Sequence, residues 1–344
     1  MPSRRVVVSQ RNFDRVALDY LEANGCEVVM AKLPEGEADT NLSEEALIGT
    51  LKGAEGWILG HARVTRGLLE SLPGLLVMSR RGVGYDRIDI EAAGELGRVV
   101  AIAAGGNNES VADHAIALML GVKKRMWESQ RRMVEGHFQI LQGSDLFRST
   151  VGIVGLGRIG RSLVQRLKGF EARVLVVAPR EDAVFADAPG VTYTDMRTLL
   201  TESDVVTLHA PLSKDTDHLI DAAALEQMKP SAVIVNTARG GLIDDRALLE
   251  ALKSGRIAGA GLDVFESERN AALGPVTAEL VGLPNVVATP HTGASSREAL
   301  VRTNMIAAES VVAVLDGDAP HPERLIVDGR RSPASKVARS PLVP

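Results

Sequence analysis

Residues 151–160 read Val151-Gly152-Ile153-Val154-Gly155-Leu156-Gly157-Arg158-Ile159-Gly160, an apolar, β-branched run that ends in glycines spaced G-x-G-x-x-G. The spacing alone is a weak signal. Here a strand-like segment precedes it, a helical stretch at 161–168 follows, and a second apolar run, RVLVVA at 173–178, comes next. Strand, glycine turn, helix and strand in that order form the context that a dinucleotide-binding unit needs. Gly155 permits the tight turn, Gly157 lets the backbone approach a pyrophosphate, and Gly160 lets helix seat on strand. The phosphates would then meet unpaired N–H groups at the positive end of the helix.

The same alternation extends in both directions. Upstream, strands are predicted at 6–9, 28–31, 56–59, 75–79 and 99–102, with helical stretches at 13–24, 44–51 and 65–72 between them. Downstream, strands are predicted at 205–210, 232–236, 258–264 and 285–290, and a helix at 296–315. Continuous apolar strands with helical crossovers imply α/β architecture with parallel sheets covered on both faces. Residues 107–133 predict one long helix whose middle, AIALMLGV at 115–122, is apolar all round. Such a helix is buried in a core or, the preferred reading here, in a subunit interface.

Composition narrows the class. A chain of 344 residues, 45% hydrophobic and 24% charged, suits two globular domains. Its net charge of −5 gives no electrostatic footprint for nucleic acid. The single Cys26 forms no internal disulfide and argues for a reducing compartment. The opening MPSRRVVVSQRN is too short in apolar residues for a signal peptide, and no uncharged apolar run approaches the ~18 residues of a membrane span. These features point to a cytoplasmic protein. The stretch 330–344, RRSPASKVARSPLVP, reads as a flexible tail rather than a nucleic-acid arm.

Which dinucleotide is bound turns on the end of the run at 173–178. An acid there would accept hydrogen bonds from the adenosine ribose, yet the chain has Ala178-Pro179-Arg180 and no carboxylate before Glu181. A missing acid with an arginine nearby fits a ribose 2′-phosphate, so NADP(H) is preferred, with Arg180 as its reader and NAD(H) as the alternative.

Ligands of doubly wound sheets sit beyond the carboxyl ends of the strands. Arg239 follows 232–236, Glu268 follows 258–264 and His291 follows 285–290, all at that edge. Reduction of a ketone by hydride needs a proton donor, and histidine is the side chain that titrates nearest neutral pH. A carboxylate behind it would favour the protonated form and fix the ring. An arginine fork binds a carboxylate through two parallel bonds and polarises the neighbouring carbonyl. Together the three residues suit reversible reduction of a 2-oxo acid. His209 ends the strand at 205–210 on the same edge, either lining the cofactor or serving structure; His61 reads as a solvated loop residue, His114 as structural and Cys26 as unreactive. No His, Cys and carboxylate cluster has metal-ligand spacing, so no metal is expected.

Seven motifs in order carry a family resemblance: GVGYDRID (82–89), NNESVADH (107–114), GLGRIG (155–160), HAPLSKDT (209–216), NTARGGLID (236–244), GLDVFESE (261–268) and TPHTGAS (289–295). Over about residues 5–325 the chain resembles the D-isomer-specific 2-hydroxyacid dehydrogenases. The resemblance implies two doubly wound parallel-sheet domains: a Rossmann cofactor domain at 104–293 inserted into a flavodoxin-like substrate domain of 1–103 and 294–328, with a tail at 329–344. It implies that Arg239 binds substrate, that Glu268 and His291 form the acid–base pair, and that Asn107 and the turn Val83-Gly84 lie near the substrate. Cofactor contacts would come from Arg158, Ile159, Thr237, Ala238, Asp263 and Gly293, and from His209, Pro211 and Thr216. The helix at 109–133 would mediate a homodimer, and substrate would lie in a cleft closed by a hinge.

Departures bear on the substrate. Phosphoglycerate-specific members of the family place an arginine where Leu59 stands, although Arg63, Arg66, Arg80 or Arg81 could compensate. The chain also has no room for the extra C-terminal regulatory domain of longer phosphoglycerate enzymes. Ala178-Pro179-Arg180 is similar to the corresponding loop of NADP-using glyoxylate/hydroxypyruvate reductases. The expectation is therefore an NADP(H)-preferring reductase of small 2-oxo acids, with NAD-linked phosphoglycerate dehydrogenase as the alternative. A dinucleotide-sensing, corepressor-like binding protein is the more remote reading.

Overall fold

The structure, a computed structural model, describes residues 4–35, 38–182 and 190–330. Most of the tail expected at 329–344 lies outside the described residues. The chain divides into two compact units, one of residues up to Asn107 with those from Ala294 onward, the other Asn108–Gly293. The first unit contributes β1 (Arg4–Val8), β2 (Cys26–Met30), β3 (Gly56–Leu59), β4 (Val77–Arg80) and β5 (Val99–Ile102). The second contributes β6 (Thr150–Val154), β7 (Arg173–Val177), β8 (Val191–Tyr193), β9 (Val205–Leu208), β10 (Val233–Asn236), β11 (Gly259–Leu262) and β12 (Val286–Ala288). The chain then returns to the first unit for β13 (Leu325–Asp328).

In the first unit the sheet order is β13-β5-β4-β3-β1-β2, parallel except where β13 runs antiparallel to β5. Side chains alternate along each strand, so neighbouring residues serve opposite faces. Val6, Val8, Ile58 and Val77 meet Ala307, Ala308 and Val311 of the helix Arg297–Leu315 on one face. Val7, Trp57, Leu59 and Met78 meet Leu47, Leu68 and Ala92 on the other. Helix starts follow side-chain caps, Ser43 accepting from the Ala46 amide and Thr65 from the Leu68 amide.

The second unit is ordered β12-β11-β10-β9-β6-β7-β8. All its strand pairs are parallel. Winding starts at β6, goes outward through β7 and β8, then resumes on the other side with β9. The switch point between β6 and β9 is where such sheets open a crevice at their carboxyl edge.

The long helix expected at 107–133 is two helices, Asn108–Lys123 and Met126–Val134, broken at Arg125, whose φ is +52°. The apolar middle is buried in its own unit rather than kept for a subunit interface. Ala112, Ala115, Leu118, Met119 and Val122 pack with Leu163, Val164 and the inner residues of β6, β7 and β10. Small residues in β11 make the approach close: a β-carbon on Gly261 would lie 2.8 Å from Leu118 Cβ, and one on Gly259 would lie 2.6 Å from Val122 Cγ1. Exposed apolar side chains occur further along, at Met126, Trp127, Met133, Val134, Phe138 and Ile140, the last 97% exposed.

Candidate active site

At the carboxyl end of β6 the glycines form a cradle. Gly155 has φ +95°, and a β-carbon there would lie 2.7 Å from the Ala210 nitrogen and 2.8 Å from the His209 carbonyl. A β-carbon on Gly160 would lie 2.5 Å from the Gly155 oxygen, so helix and turn touch backbone to backbone. Gly157 caps the helix Arg158–Leu167 without a side chain, leaving the first amides to a ligand. Arg158 and Ile159 are half-buried in that first turn. Around the cradle, Thr237 Oγ1 and His209 Nδ1 are buried without a hydrogen-bond partner among the described residues. The other ring nitrogen of His209 lies 3.0 Å from the Thr207 hydroxyl, and burial pushes its pKa down to about 4, so the ring is neutral. A glycine cradle, open helix amides and orphaned buried polar atoms together fit a polar dinucleotide.

After β7, Ala178 is half-buried while Pro179 and Arg180 are exposed. The loop is fixed by Asp182, which the sequence reading passed over: it pairs with Arg161 at 2.5 Å, and its amide donates to the Tyr193 hydroxyl at 2.8 Å. Beyond β9, Pro211 is exposed, and the Thr216 hydroxyl donates to the Pro211 carbonyl at 2.7 Å and accepts the Ser213 amide at 2.7 Å. Thr216 therefore closes its own turn.

Arg239, Glu268 and His291 all stand beyond the carboxyl ends of β10, β11 and β12. Buried Asn236 shapes the first loop, its Nδ2 donating to the Arg239 carbonyl at 2.8 Å and its Oδ1 accepting the Ala238 amide at 3.0 Å. The second loop backs directly on the first, since a β-carbon on Gly240 would lie 2.1 Å from the Phe265 carbonyl carbon. Glu268 folds back so that Oε1 accepts the Phe265 amide at 2.9 Å, while Oε2 lies 2.6 Å from His291 Nδ1. That bond fixes which face and which nitrogen the ring presents.

His291 has φ +54°, a conformation costly outside glycine and maintained by its surroundings. The surroundings centre on Asp263, 1% exposed. Its Oδ1 accepts the Thr289 hydroxyl at 2.6 Å and the Thr292 amide at 2.8 Å, and its Oδ2 accepts the Gly293 amide at 2.9 Å. Burial works to raise this carboxyl, but bonds from His114, Thr289 and the two amides outweigh it and hold it below the usual carboxylate range. Asp263, expected as a cofactor contact, is thus occupied in holding the His291 loop. His114 buttresses it, 2.9 Å from the Thr289 hydroxyl, in keeping with a structural role. Gly293 is required there, because a β-carbon would come within 2.9 Å of Asp263 Oδ2.

Within the first unit, half-buried Val83 and Gly84 lie on the turn after β4. Asn107 is 5% exposed, and its Oδ1 has no hydrogen-bond partner among the described residues. Leu59 is fully buried in the core, and Arg80, 8% exposed, brings Nη2 within 3.2 Å of both ring nitrogens of exposed His61. Cys26 is buried, and burial pushes its thiol up, away from reactivity. Among the described residues no group of His, Cys, Asp and Glu could hold a metal, and no helix is long and apolar enough to cross a membrane.

Comparison with known proteins gives this geometry its relatives. The family described as "D-isomer specific 2-hydroxyacid dehydrogenase, NAD binding domain" matches residues 116–293. The chain belongs to the D-isomer-specific 2-hydroxyacid dehydrogenase family. It is 39% identical over 267 residues to a glyoxylate reductase of Thermococcus litoralis, covering 75% of this chain and 79% of that one. It is 40% identical over 304 residues to a D-3-phosphoglycerate dehydrogenase of Archaeoglobus fulgidus, covering 88% of this chain but 55% of the relative, so it spans about half of that protein's length. A D-lactate dehydrogenase from Aquifex aeolicus, solved with NAD and lactic acid, superposes with a TM-score of 0.81 at 28% identity, covering 94% of this chain and 99% of that one. The doubly wound, two-unit fold expected from the motifs is the fold of this family.

Proposed function

We propose that this 2-hydroxyacid dehydrogenase family member reduces small 2-oxo acids, reversibly, to 2-hydroxy acids, with glyoxylate or hydroxypyruvate as its substrate. The observation that carries the reading is the Glu268–His291 pair, at 2.6 Å, on the same sheet edge as the glycine cradle. When bound, the nicotinamide supplies or takes the hydride. The chain's own residues do the rest. Arg239 takes the substrate carboxylate in a two-bond fork and polarises the adjacent carbonyl. His291 gives a proton from Nε2 to the carbonyl oxygen, and Glu268 on Nδ1 keeps the ring in place as its charge changes. In the first unit, Val83, Gly84 and Asn107 are proposed as substrate contacts.

The dinucleotide would rest on Gly155, Gly157, Arg158, Ile159 and Gly160, with His209, Pro211, Thr216, Thr237, Ala238 and Gly293 around it. NADP(H) is proposed as the preferred form, because Ala178 stands where an acid would read the ribose and Arg180 is exposed beside it. The protein is further proposed to be a homodimer, joined through the helix Met126–Val134 and the residues after it, where Trp127, Phe138 and Ile140 are exposed. Its one cysteine, buried, suits a reducing compartment such as the cytoplasm.

A second reading, NAD-linked oxidation of phosphoglycerate, draws on Arg80 beside His61; the buried Leu59 speaks against it. The deciding assay is oxidation of NADPH against NADH by pure protein, with glyoxylate, hydroxypyruvate and bulkier 2-oxo acids, alongside phosphoglycerate with NAD. A several-fold NADPH preference with the small acids is expected. Turnover of phosphoglycerate alone would overturn the reading.

A further inference from the structure

Behind the loops of the active site lie three ionisable side chains that take no part in the mechanism above. Glu266, two residues before Glu268, places Oε1 2.8 Å from His218 Nε2, and its Oε2 accepts the Asp245 amide at 2.9 Å. Asp245 returns the bond, its Oδ2 accepting the Glu266 amide at 3.0 Å. This exchange ties the 3-10 turn Glu266–Glu268 to the start of the helix Asp245–Lys253. His218 closes the frame from the other side. Its ring holds Glu266, while its amide donates at 2.8 Å to the carbonyl of Gly241, in the loop that carries Arg239. It does so from a left-handed backbone, φ +47°, which needs fixed surroundings.

We propose that His218, Glu266 and Asp245 are positioning residues that lock the Arg239 loop against the Glu268 turn, and so set how the Glu268–His291 pair meets a substrate held by Arg239. The proposal rests on the functional reading above. Two further facts support it. Asp245 is 2% exposed, and burial pushes its carboxyl up to about 7, a costly arrangement for a residue serving only to start a helix. Glu266 is itself largely buried, with 14% of its side chain exposed, and its bond raises His218, so an ion pair ties the segment after β9, bonded to Gly241, to the Glu266–Glu268 turn. Reacting groups held by such frames are sensitive to small displacements: a shift of about 1 Å can change rate by roughly a hundredfold.

The test compares wild type with His218→Ala and Glu266→Gln, and with His218→Gln and Asp245→Asn against Asp245→Ala. Three readouts are taken: steady-state kcat and KM with glyoxylate, NADPH binding by fluorescence, and hydrogen–deuterium exchange of the amides at 262–268. A fall in kcat of roughly tenfold or more is expected in His218→Ala, Glu266→Gln and Asp245→Ala, with NADPH affinity within about twofold and faster exchange at the turn. His218→Gln and Asp245→Asn keep a hydrogen-bonding group and should restore most of the loss. Unchanged kcat in His218→Ala and Glu266→Gln would overturn the proposal. So would losses that follow NADPH binding and melting temperature alike and that the conservative variants do not relieve. If wild type turned over no 2-oxo acid, the functional reading would fail. The exchange data would then judge the frame alone, faster exchange keeping it and unchanged exchange ending it.

Discussion

A single guanidinium and a single imidazole carry different parts of the proposed reaction, and their variants should fail differently. Arg239→Ala should lose roughly a hundredfold or more in kcat/KM on carboxylate substrates while NADPH still binds. His291→Ala should lower kcat by about a hundredfold or more with a smaller change in KM. Steady-state kinetics beside a cofactor-binding titration separates the two. Buried titratable groups predict a second residue-scale behaviour. His209 falls from 6.5 to about 4 on folding, so the unfolded chain binds the extra proton between those values, and its contribution to stability is lost as pH drops through that window. Asp245 rises from 3.8 to about 7, so the folded chain binds the extra proton, and stability is lost as pH climbs through its own window. The two slopes oppose one another between about 4 and 6.5. Asp245→Asn should therefore leave a melting temperature that climbs more steeply from pH 4 to 7 than in wild type, and an unchanged slope would refute it. The placement of Arg239, Glu268 and His291 at the ligand edge was legible in the sequence because each follows an apolar strand. The bonds of Asp263, Glu266 and His218 were not, because they join loops far apart in the chain.

At the scale of elements, the strands read most directly from the sequence were those with β-branched runs buried on both faces, such as β6 and β9. It missed β8 and β13, edge strands of three and four residues whose patterns are too short to stand out. The helix at 107–133 was overextended because its break at Arg125 uses a left-handed non-glycine residue, which leaves no mark in composition. The burial of its apolar middle could have been inferred from the opposite partner: AGAG at 258–261 is a strand stripped of side chains to admit a helix. Gly261→Val should then force that helix away from β11 and cost roughly 1–3 kcal/mol or more of stability, read by urea denaturation of the whole chain. Equal stability of the variant would show that the contact has slack.

For the whole molecule, six large apolar side chains are exposed between Met126 and Ile140 among the described residues. Ile140→Asp combined with Trp127→Ser is expected to shift the protein from dimer to monomer in sedimentation equilibrium while leaving NADPH binding intact. A wild-type protein that is monomeric at micromolar concentration would remove the proposed interface.

The division of the chain also fixes an order of birth. Val6, Ile58 and Val77 line one face of the first sheet, but the helix that covers them, Arg297–Leu315, is synthesised after the entire second unit. The unit begun first at the ribosome is completed last and holds an open apolar face meanwhile. Nascent chains stalled just before Arg297 should yield a protease-resistant second unit beside a first unit that is still cut, and such intermediates are natural clients for a chaperone.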